Sequence, residues 1–543
     1  MSHLLRLEEI KLTLADNESV LADKIAKILS ISNEGIISYK IVKKSIDSRD
    51  KQNILFIYSV DVDLLDKNVN ILKPNPVKHR AKWVEEYVYN IQKAPEDFGR
   101  KRPVVVGTGP AGLFAGLSLA KAGLRPIIIE RGRDVESRIR DVETFMKTGK
   151  LDTSSNIQFG EGGAGTFSDG KLYTMINDPR SKYVFEELVE AGAPEEILYT
   201  AKAHVGTDKL RILVKKLREK IISLGTEVRF ETCLTDLEIV DNKLVAIIVN
   251  KSERIETDIL VLAVGHSARD TYEMIYNKGL EMTQKAFAMG VRIEHDAGMV
   301  NRSQFGDSCI DPKLGTASYK LVTHSEQERS VYSFCMCPGG HVVAASSEDG
   351  RLCINGMSEY LQNSGISNSA LLVGVTPEDF GSTHPLAGIE FQRKWEEKAF
   401  KLGGSNYHAP AQLVGDFLRK VPSKGIGKLG STYLPGITMT SLDECLPDFI
   451  TKALRKALPE LDRKIKGFAS NDAILTAIEA RSSAVLRIVR DKETLQSNIG
   501  GIYPSGEDAG YAGGITSSAI DGLIVAEKII EKRISEKLAF ERF

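Results

Sequence analysis

One strand–turn–helix–strand unit restricts the fold of this 543-residue chain more than any other feature. The apolar run Pro103–Gly107 leads into the motif GTGPAG, then the small-residue helix Leu113–Ala122 and a second apolar run that ends at Glu130. In such a motif the first glycine permits a tight turn, the second lets the backbone approach a pyrophosphate, and the third lets helix and strand pack closely. Free N–H groups at the helix N-terminus attract the pyrophosphate. The unit therefore predicts a parallel α/β sheet with a dinucleotide at the turn.

A second match to this glycine spacing, GIGKLG at 425–430, lacks the required context. No apolar strand precedes it and the following STYLPG cannot begin a helix, so we expect no nucleotide there. At the first site, the carboxylate of Glu130 can accept hydrogen bonds from ribose hydroxyls and would repel a 2′-phosphate. The sequence therefore favours a dinucleotide whose ribose carries no 2′-phosphate.

Three further segments favour FAD over NAD. The glycine-rich stretch Asn156–Leu172 would bring backbone N–H groups against a large flat ligand. The apolar strand Ile259–Gly265 returns the chain to the nucleotide-binding sheet. In Gly501–Ala526, Gly513 and Gly514 precede a helix whose N-terminus would support negative charge on a flavin.

These motifs carry a resemblance that covers nearly the whole chain. The most specific ones are GTGPAG, GEGGAGTFSDGKL, AVGHSARDT, FCMCPGG, APAQLVGDFL, EARSSAVLRIVRD and YPSGEDAGYAGGI. The chain resembles the FAD-dependent oxidoreductases of the glutathione-reductase structural class, and within them an uncharacterised bacterial family of FAD-dependent dehydrogenases. Such proteins commonly carry Asp where this chain has Glu507.

The resemblance implies that FAD is bound in an extended form. Glu130 would hold the adenosine ribose, Glu507 the ribityl or pyrophosphate region, and Gly513–Ile515 would lie under the flavin. The full set of expected cofactor-binding residues is Gly107, Gly109, Pro110, Ala111, Gly112, Glu130, Arg131, Gly162, Gly163, Gly165, Leu234, Gly265, Gly506, Glu507, Gly513, Gly514 and Ile515.

The expected fold class is α/β, with a three-layer Rossmann-like FAD-binding domain in two pieces, 96–275 and 466–543. Residues 276–465 would form an inserted, mainly antiparallel α+β substrate domain. Residues 1–95 read as a ferredoxin-like αβ unit in βαββ order, followed by a short helix near Val84–Gln92.

The candidates for chemistry are less specific. Cys335 and Cys337 are two apart, so on a strand they would face the same side as a redox pair, or they are small core residues. His341 is a proton donor or a strand-edge histidine, and Lys171 either stabilises reduced flavin or forms a salt bridge with Asp169. Three arginines bind an anion or form ion pairs between domains: Arg481, Arg487 and Arg490.

Composition limits the partners. The formal net charge of −1 gives no general affinity for nucleic acid or an anionic membrane, and six sparse cysteines suggest a reducing compartment and no zinc site. Without a signal-peptide pattern or a membrane-length apolar run, a cytoplasmic location is expected.

We therefore expect an FAD-dependent oxidoreductase that moves a hydride between a small organic substrate and the flavin, with NADH or NADPH as a transient reductant and no metal. The alternatives are a flavin-dependent RNA-modifying enzyme and an FAD-holding redox sensor.

Overall fold

An antiparallel sheet with one helix packed on it forms the N-terminal unit. The computed structural model describes residues 3–67, 81–95, 101–174, 176–324, 329–507 and 509–540. The unit contains β1 (His3–Thr13), α1 (Leu21–Leu29), β2 (Ile36–Asp47), β3 (Leu55–Leu64) and β4 (Ala81–Glu85), and the sheet order is β2-β3-β1-β4. A bulge in β1 between Leu7 and Ile10 keeps both side chains on the buried face, although their spacing breaks strict alternation. The strand–helix–strand–strand order is the predicted one.

The helix predicted near Val84–Gln92 is wrong. Val84 lies in β4, which pairs with β1 from His3 opposite Glu85 to Leu7 opposite Ala81. Residues 86–95 form no helix or strand. Residues 81–85 pair with the edge of β1, and this strand pairing outweighs the helical pattern of the local sequence.

A parallel sheet follows, with helices on one side and an antiparallel sheet on the other. Its elements are β5 (Val104–Val106), α2 (Pro110–Lys121), β6 (Ile127–Ile129), α3 (Val135–Thr148), α4 (Arg180–Glu190), α5 (Thr207–Ser223), β7 (Glu227–Arg229), β8 (Leu234–Val240), β9 (Lys243–Val249), β10 (Glu253–Glu256), β11 (Leu260–Leu262) and α6 (Arg269–Asn277). Val105 packs with residues of α2 and α5, whereas Val104 and Val106 pack with β8 and β9. This alternation follows from the two-residue period of a strand buried on both faces.

The inserted segment is built on a second, larger sheet. Its elements are β12 (Met282–Gln284), β13 (Phe287–Asp296), α7 (Ala297–Phe305), β14 (Val322–Thr323), β15 (Val331–Cys337), β16 (His341–Ala344), β17 (Ile354–Met357), β18 (Ile366–Val375), α8 (Ala387–Leu402), β19 (Ala409–Leu413), α9 (Val414–Arg419), β20 (Ile437–Met439), α10 (Asp448–Lys464), β21 (Ile474–Glu479) and β22 (Leu486–Ile488). The order is β14-β15-β18-β13-β21-β19-β20, antiparallel except for the pair β19–β20.

The chain then returns to the parallel sheet through β23 (Ile502–Pro504) and α11 (Ile515–Phe540). The parallel order becomes β23-β11-β5-β6-β7, and α11 packs directly on α2. The predicted end of the insertion at residue 465 is too early. β21 pairs with β13 and β19 in the centre of the inserted sheet, and β22 pairs with β12, so the insertion extends to Ile488.

A buried carboxylate joins the insertion to the parallel-sheet domain. Glu396 of α8 is fully buried and accepts two hydrogen bonds from Arg269 (2.8 and 2.9 Å) and two from Arg481 (2.8 and 2.9 Å). Arg481 also donates to the hydroxyl of Ser267, which follows β11 (3.1 Å). The two guanidinium groups hold the pKa of Glu396 well below its usual range, against the effect of burial. Arg269 and Glu396 therefore form an ion pair between the parallel-sheet domain and the insertion. Arg481 lies inside the insertion, so its pair with Glu396 is not the predicted ion pair between domains, and only its hydrogen bond to Ser267 crosses the boundary.

Among the described residues, no helix combines the length and apolar character needed to cross a membrane.

The ion-pair cluster gives a stability prediction. Glu396→Gln should lower the free energy of unfolding at pH 7 by about 3 kcal/mol, because it leaves two buried guanidinium groups with the partly exposed Glu348 as their remaining counter-charge. Because the folded pKa of Glu396 is depressed, its contribution is complete above the unfolded value and is lost only at strongly acid pH. The loss measured by urea denaturation should therefore be the same at pH 6 and pH 8.

The matched control is Glu397→Gln on the same helix, where an exposed carboxylate pairs with Lys401. That substitution should leave the denaturation midpoint unchanged. Equal effects of the two substitutions would contradict the role given to Glu396.

Candidate cofactor and substrate site

The turn between β5 and α2 is closed by contacts of backbone with backbone. A Cβ atom on Gly107 would lie 2.0 Å from the carbonyl oxygen of Ala263, and one on Gly112 would lie 2.0 Å from the carbonyl oxygen of Gly107. Gly107 also has a φ of 101°, a conformation that favours glycine. The first and third glycines of the motif therefore serve the fold itself. They bring the N-terminus of α2 to the carboxyl edge of the sheet.

The second glycine is different, because it faces open space. A Cβ atom on Gly109 would meet only the Cα atom of Gly163, at 4.0 Å. Gly109 is also the N-cap of α2, and Pro110 is the first helical residue. Free N–H groups at this helix end thus face a channel that no side chain fills, as binding of a phosphate requires.

Three glycine segments that are far apart in sequence meet around this channel. Gly165 lies against the side chain of Ile515 (3.3 Å from a built Cβ to Cγ1) and near Pro110 (4.0 Å). Thr516, in the first turn of α11, donates a hydrogen bond to the carbonyl oxygen of Leu172 (2.6 Å). The expected cofactor residues at 107–112, 162–165 and 513–515 therefore form one continuous surface, called the glycine bed below.

Glu130 organises the loops around the bed. Its Oε2 accepts hydrogen bonds from the N–H (3.0 Å) and hydroxyl (2.8 Å) of Thr108, and its Oε1 accepts from the N–H groups of Gly132 and Gly160 (both 3.0 Å). The residue is only 5% exposed. A carboxylate has about four acceptor positions, and this one uses all of them on the protein. The acid at the end of β6 thus fixes the glycine loops in place.

The C-terminal part of the bed is held by a pair that sequence reasoning did not identify. Asp521 of α11 accepts hydrogen bonds from the N–H of Gly506 (2.7 Å) and from Arg490 (2.6 Å). Arg490 also donates to the carbonyl oxygen of Pro504 (2.7 Å). The recurrence of arginine before this segment was the available signal, and the structure gives Arg490 a structural role.

Glu507, next to this turn, is partly buried. Burial raises its pKa to about 7, and the nearby ammonium group of Lys285 opposes that rise. Lys285 comes from the insertion, so the C-terminal cofactor segment and the start of β13 face each other here.

Three other expected residues belong to the parallel-sheet domain, outside the residues that form the bed. Arg131 places its guanidinium 4.5 Å from the ring centre of Phe159 and pairs with Asp270 at 2.6 Å. Leu234 is buried in β8, and Gly265 is exposed just after β11 with a φ of 78°. None of the three lies in the insertion.

Lys171 lies where the glycine loop meets the insertion. Its Nζ is 3.1 Å from Oδ2 of Asp169, and Asp169 accepts a hydrogen bond from Ser358 of the insertion. The Asp169 carboxylate raises the pKa of Lys171 despite burial, with smaller contributions from Cys335 and Cys337, so the lysine stays charged. Within the described part of the chain, this ammonium group has no hydrogen-bond partner that satisfies its geometry.

The prediction that Cys335 and Cys337 face the same side is wrong. A bulge interrupts β15 between Phe334 and Cys337, and Cys335 adopts a φ of 40°. Cys335 is consequently exposed, whereas Cys337 is buried and directs its Sγ to the carbonyl oxygen of Cys335 (3.2 Å). His341 begins β16, opposite Met357 of β17, with Glu294 as a charged neighbour. None of the three occupies the glycine bed.

A cavity of about 210 Å³ opens on the inserted sheet. It is lined by Phe287, Tyr332, Phe334 and Leu372, and by the hydroxyl-bearing residues Ser482 and Ser483. No charged side chain lines it in the described residues. Likewise, no group of three His, Cys, Asp or Glu residues suited to a metal ion occurs in the described ranges.

Family comparisons identify the cofactor. Residues 102–163 match a family described as an FAD binding domain, residues 286–482 match "FAD-dependent protein, C-terminal domain-like", and residues 5–63 match a domain of unknown function. The cofactor of this protein is FAD. The glycine bed fits it, because its second glycine leaves the space that a pyrophosphate would fill.

A full-length relative and several solved structures are also similar. An uncharacterized protein of Clostridium beijerinckii is 49% identical over 529 residues, which covers 97% of this chain and 99% of the relative. The flavin-dependent brominase Bmp2 shares 13% identity with a TM-score of 0.37, covering 80% of this chain and 79% of its own. The L-amino acid deaminase from Proteus vulgaris shares 12% identity with a TM-score of 0.32, covering 83% and 99%. At these TM-scores the two enzymes do not indicate the reaction.

Gly109 offers a test of the bed that is separate from folding. Gly109→Ala should leave the melting temperature of the FAD-free protein unchanged, because the added methyl meets no protein atom closer than 4.0 Å. It should weaken FAD binding at least about tenfold, or about 1.4 kcal/mol, because the methyl enters the pyrophosphate channel. FAD titration followed by fluorescence measures the change.

Gly425→Ala is the matched control, since Gly425 opens the second glycine motif and a Cβ there also meets open space. It should bind FAD like the unmodified protein. Normal FAD affinity in Gly109→Ala would show that the cofactor does not pass over this turn.

Proposed function

Since the chain belongs to the same family as the Clostridium beijerinckii protein and depends on FAD, we propose that it is an oxidoreductase acting on a small organic substrate. Bound FAD supplies a reversible two-electron acceptor, and a hydride is exchanged between a carbon atom of the substrate and the flavin. The observation that supports this best is the glycine bed, which leaves room for a pyrophosphate at the N-terminus of α2. The insertion adds an open cavity that could take a small substrate. NADH or NADPH, docking transiently, would supply electrons.

Each part of the bed has a proposed task toward FAD. The N-terminus of α2, from Gly109, would hold the pyrophosphate, and Gly163 and Gly165 would contact the cofactor through their backbone. Gly514 and Ile515, at the start of α11, would support the flavin. Glu130 acts indirectly, because it orients the loops that contact the cofactor.

Lys171 is the group we propose to act on the flavin electrostatically. The next residue, Leu172, is hydrogen-bonded to Thr516 in the first turn of α11, so the lysine lies close to the flavin end of the bed. A charged ammonium group in a buried setting stabilises nearby negative charge more strongly than it would in water. Lys171 would therefore favour the anionic reduced flavin, while Asp169 holds it in position.

The proposed activity is tested on the purified protein. The protein should be yellow with one FAD per chain, and anaerobic NADH or NADPH should bleach the flavin absorption, which an organic acceptor then restores. The proposal is wrong if the protein stays colourless after FAD is added. It is also wrong if dithionite reduces the flavin but no nicotinamide or organic compound exchanges electrons with it.

Replacement of Lys171 should change the flavin itself. Lys171→Met should lower the two-electron reduction potential by at least about 30 mV, equivalent to about 1.4 kcal/mol, because the reduced form loses its nearby positive charge. The control is Lys424→Met, at an exposed lysine, which should not shift the potential. If the reduction potential of Lys171→Met is unchanged, Lys171 does not stabilise the reduced flavin, and its role is the salt bridge to Asp169.

A further inference from the structure

Strand register creates a concave patch on one face of the inserted sheet. Tyr332 is paired with Leu372, and Leu372 is paired with Gly290, so these residues point to the same face. Phe334 and Ala288 share that face through their own partners on β18. Large rings on β15 therefore stand across β18 from small residues on β13. This difference in size leaves the cavity between them.

The patch is separate from the core of the insertion. Ala288, Leu372 and Tyr332 form a small apolar cluster of their own, whereas alternate residues such as Met289 and Val373 join the main core on the opposite face. Phe334 is 37% exposed, an unusual degree for a phenylalanine on a central sheet. The cavity is thus an apolar surface that the described residues leave uncovered.

The rim of the cavity supplies one free polar group. The hydroxyl of Ser482 donates to the carbonyl oxygen of Ala288 (2.6 Å) and so belongs to the sheet. The hydroxyl of Ser483 has no hydrogen-bond partner among the described residues. One hydroxyl group without a described partner therefore belongs to the lining, beside the apolar side chains.

The cavity borders the C-terminal part of the cofactor site. Lys285 precedes the lining residue Ala286 and has Glu507 as its charged neighbour. Arg487, shortly after the lining serines, donates to the carbonyl oxygen of Gly510 (3.2 Å). Two of the segments that line the cavity, 286–288 and 482–483, are thus continuous with residues that interact with Glu507 and Gly510.

We propose that this cavity binds the substrate through an uncharged aromatic or alicyclic ring that carries one polar substituent hydrogen-bonded by Ser483. The inference rests on the proposed function, because it names the substrate class of that same site. A volume of about 210 Å³ suits a single ring, since a cavity of about 150 Å³ holds benzene. A charged group would lie against apolar walls without a partner, so charged analogues are excluded.

The test measures binding to the FAD-loaded protein by calorimetry, without turnover. Benzyl alcohol and cyclohexylmethanol are the neutral ring probes, and benzoate and benzylammonium are their charged counterparts. Both alcohols should bind at least tenfold more tightly than either ion. Binding of an ion as tightly as the alcohols, or failure of both alcohols to bind at millimolar concentration, would overturn the proposal.

Two variants locate the probe. Phe334→Ala should weaken benzyl alcohol binding about tenfold by removing a wall, and Ser483→Ala should weaken it about fivefold while leaving toluene binding unchanged. Ile310→Ala, at an 87% exposed site of the insertion, is the control and should have no effect. If Phe334→Ala does not fold, Ser483→Ala is the deciding variant. Binding of benzyl alcohol to Ser483→Ala as tightly as to the unmodified protein would overturn the assignment.

The two proposals fail in different ways. Reduction of the flavin by a nicotinamide without binding of neutral rings would refute the substrate class and leave the oxidoreductase function intact. If the protein binds neutral rings but its flavin exchanges electrons with no organic compound, the oxidoreductase function is refuted and the binding site stands.

Discussion

Close approach of backbone to backbone is the constraint on which the rest of the structure depends. At Gly107, Gly112 and Gly522 an added Cβ atom would lie 2.0 to 2.2 Å from a carbonyl oxygen of another segment. The contact of Gly522 with Ala111 lets α11 pack directly on α2, so the two helix N-termini reach the same channel. No side-chain packing could bring three such segments this near. The bed therefore exists because glycine occurs where the segments cross.

The insertion is held in place by a different interaction, because it interrupts the domain that holds the cofactor. Glu396 is held between Arg269, from the parallel-sheet domain, and Arg481, from the insertion itself. Burying a carboxylate is costly, and only bidentate pairing with complete hydrogen bonding offsets that cost. The cluster contributes position more than net stability. It sets where the cavity stands relative to the glycine bed.

Sequence alone predicted the features that depend on neighbours along the chain. The turn at Gly107, the helix after it and the strand ending at Glu130 follow from local spacing, and the mixed α/β character follows from many such units. The end of the insertion was placed too early because β21 is a short strand whose partners, β13 and β19, are distant in sequence. The exposure of Cys335 depends on a bulge, which strand alternation cannot predict.

The site residues show the same division. The glycines of the bed were predicted from local motif spacing, whereas Asp521 was missed because its task depends on Arg490 and Gly506, which only the fold brings near. Glu130 was predicted to bind the ribose, but its carboxylate is fully used by four hydrogen bonds within the protein. Its partners include Gly160, on a loop whose course the sequence does not determine.

The balance of charge links the cofactor to the substrate. A chain of net charge −1 can hold a pyrophosphate because helix N-termini and loop amides, rather than surplus lysines, supply the positive field. Buried cations in the insertion and glycine loop are matched by nearby carboxylates, as Lys171 is by Asp169 and Arg292 is by Glu479 at 2.9 Å. Such pairing leaves little unbalanced charge to attract an ionic substrate into the cavity. Selection of the substrate then depends on the shape of the apolar wall and on the hydroxyl of Ser483.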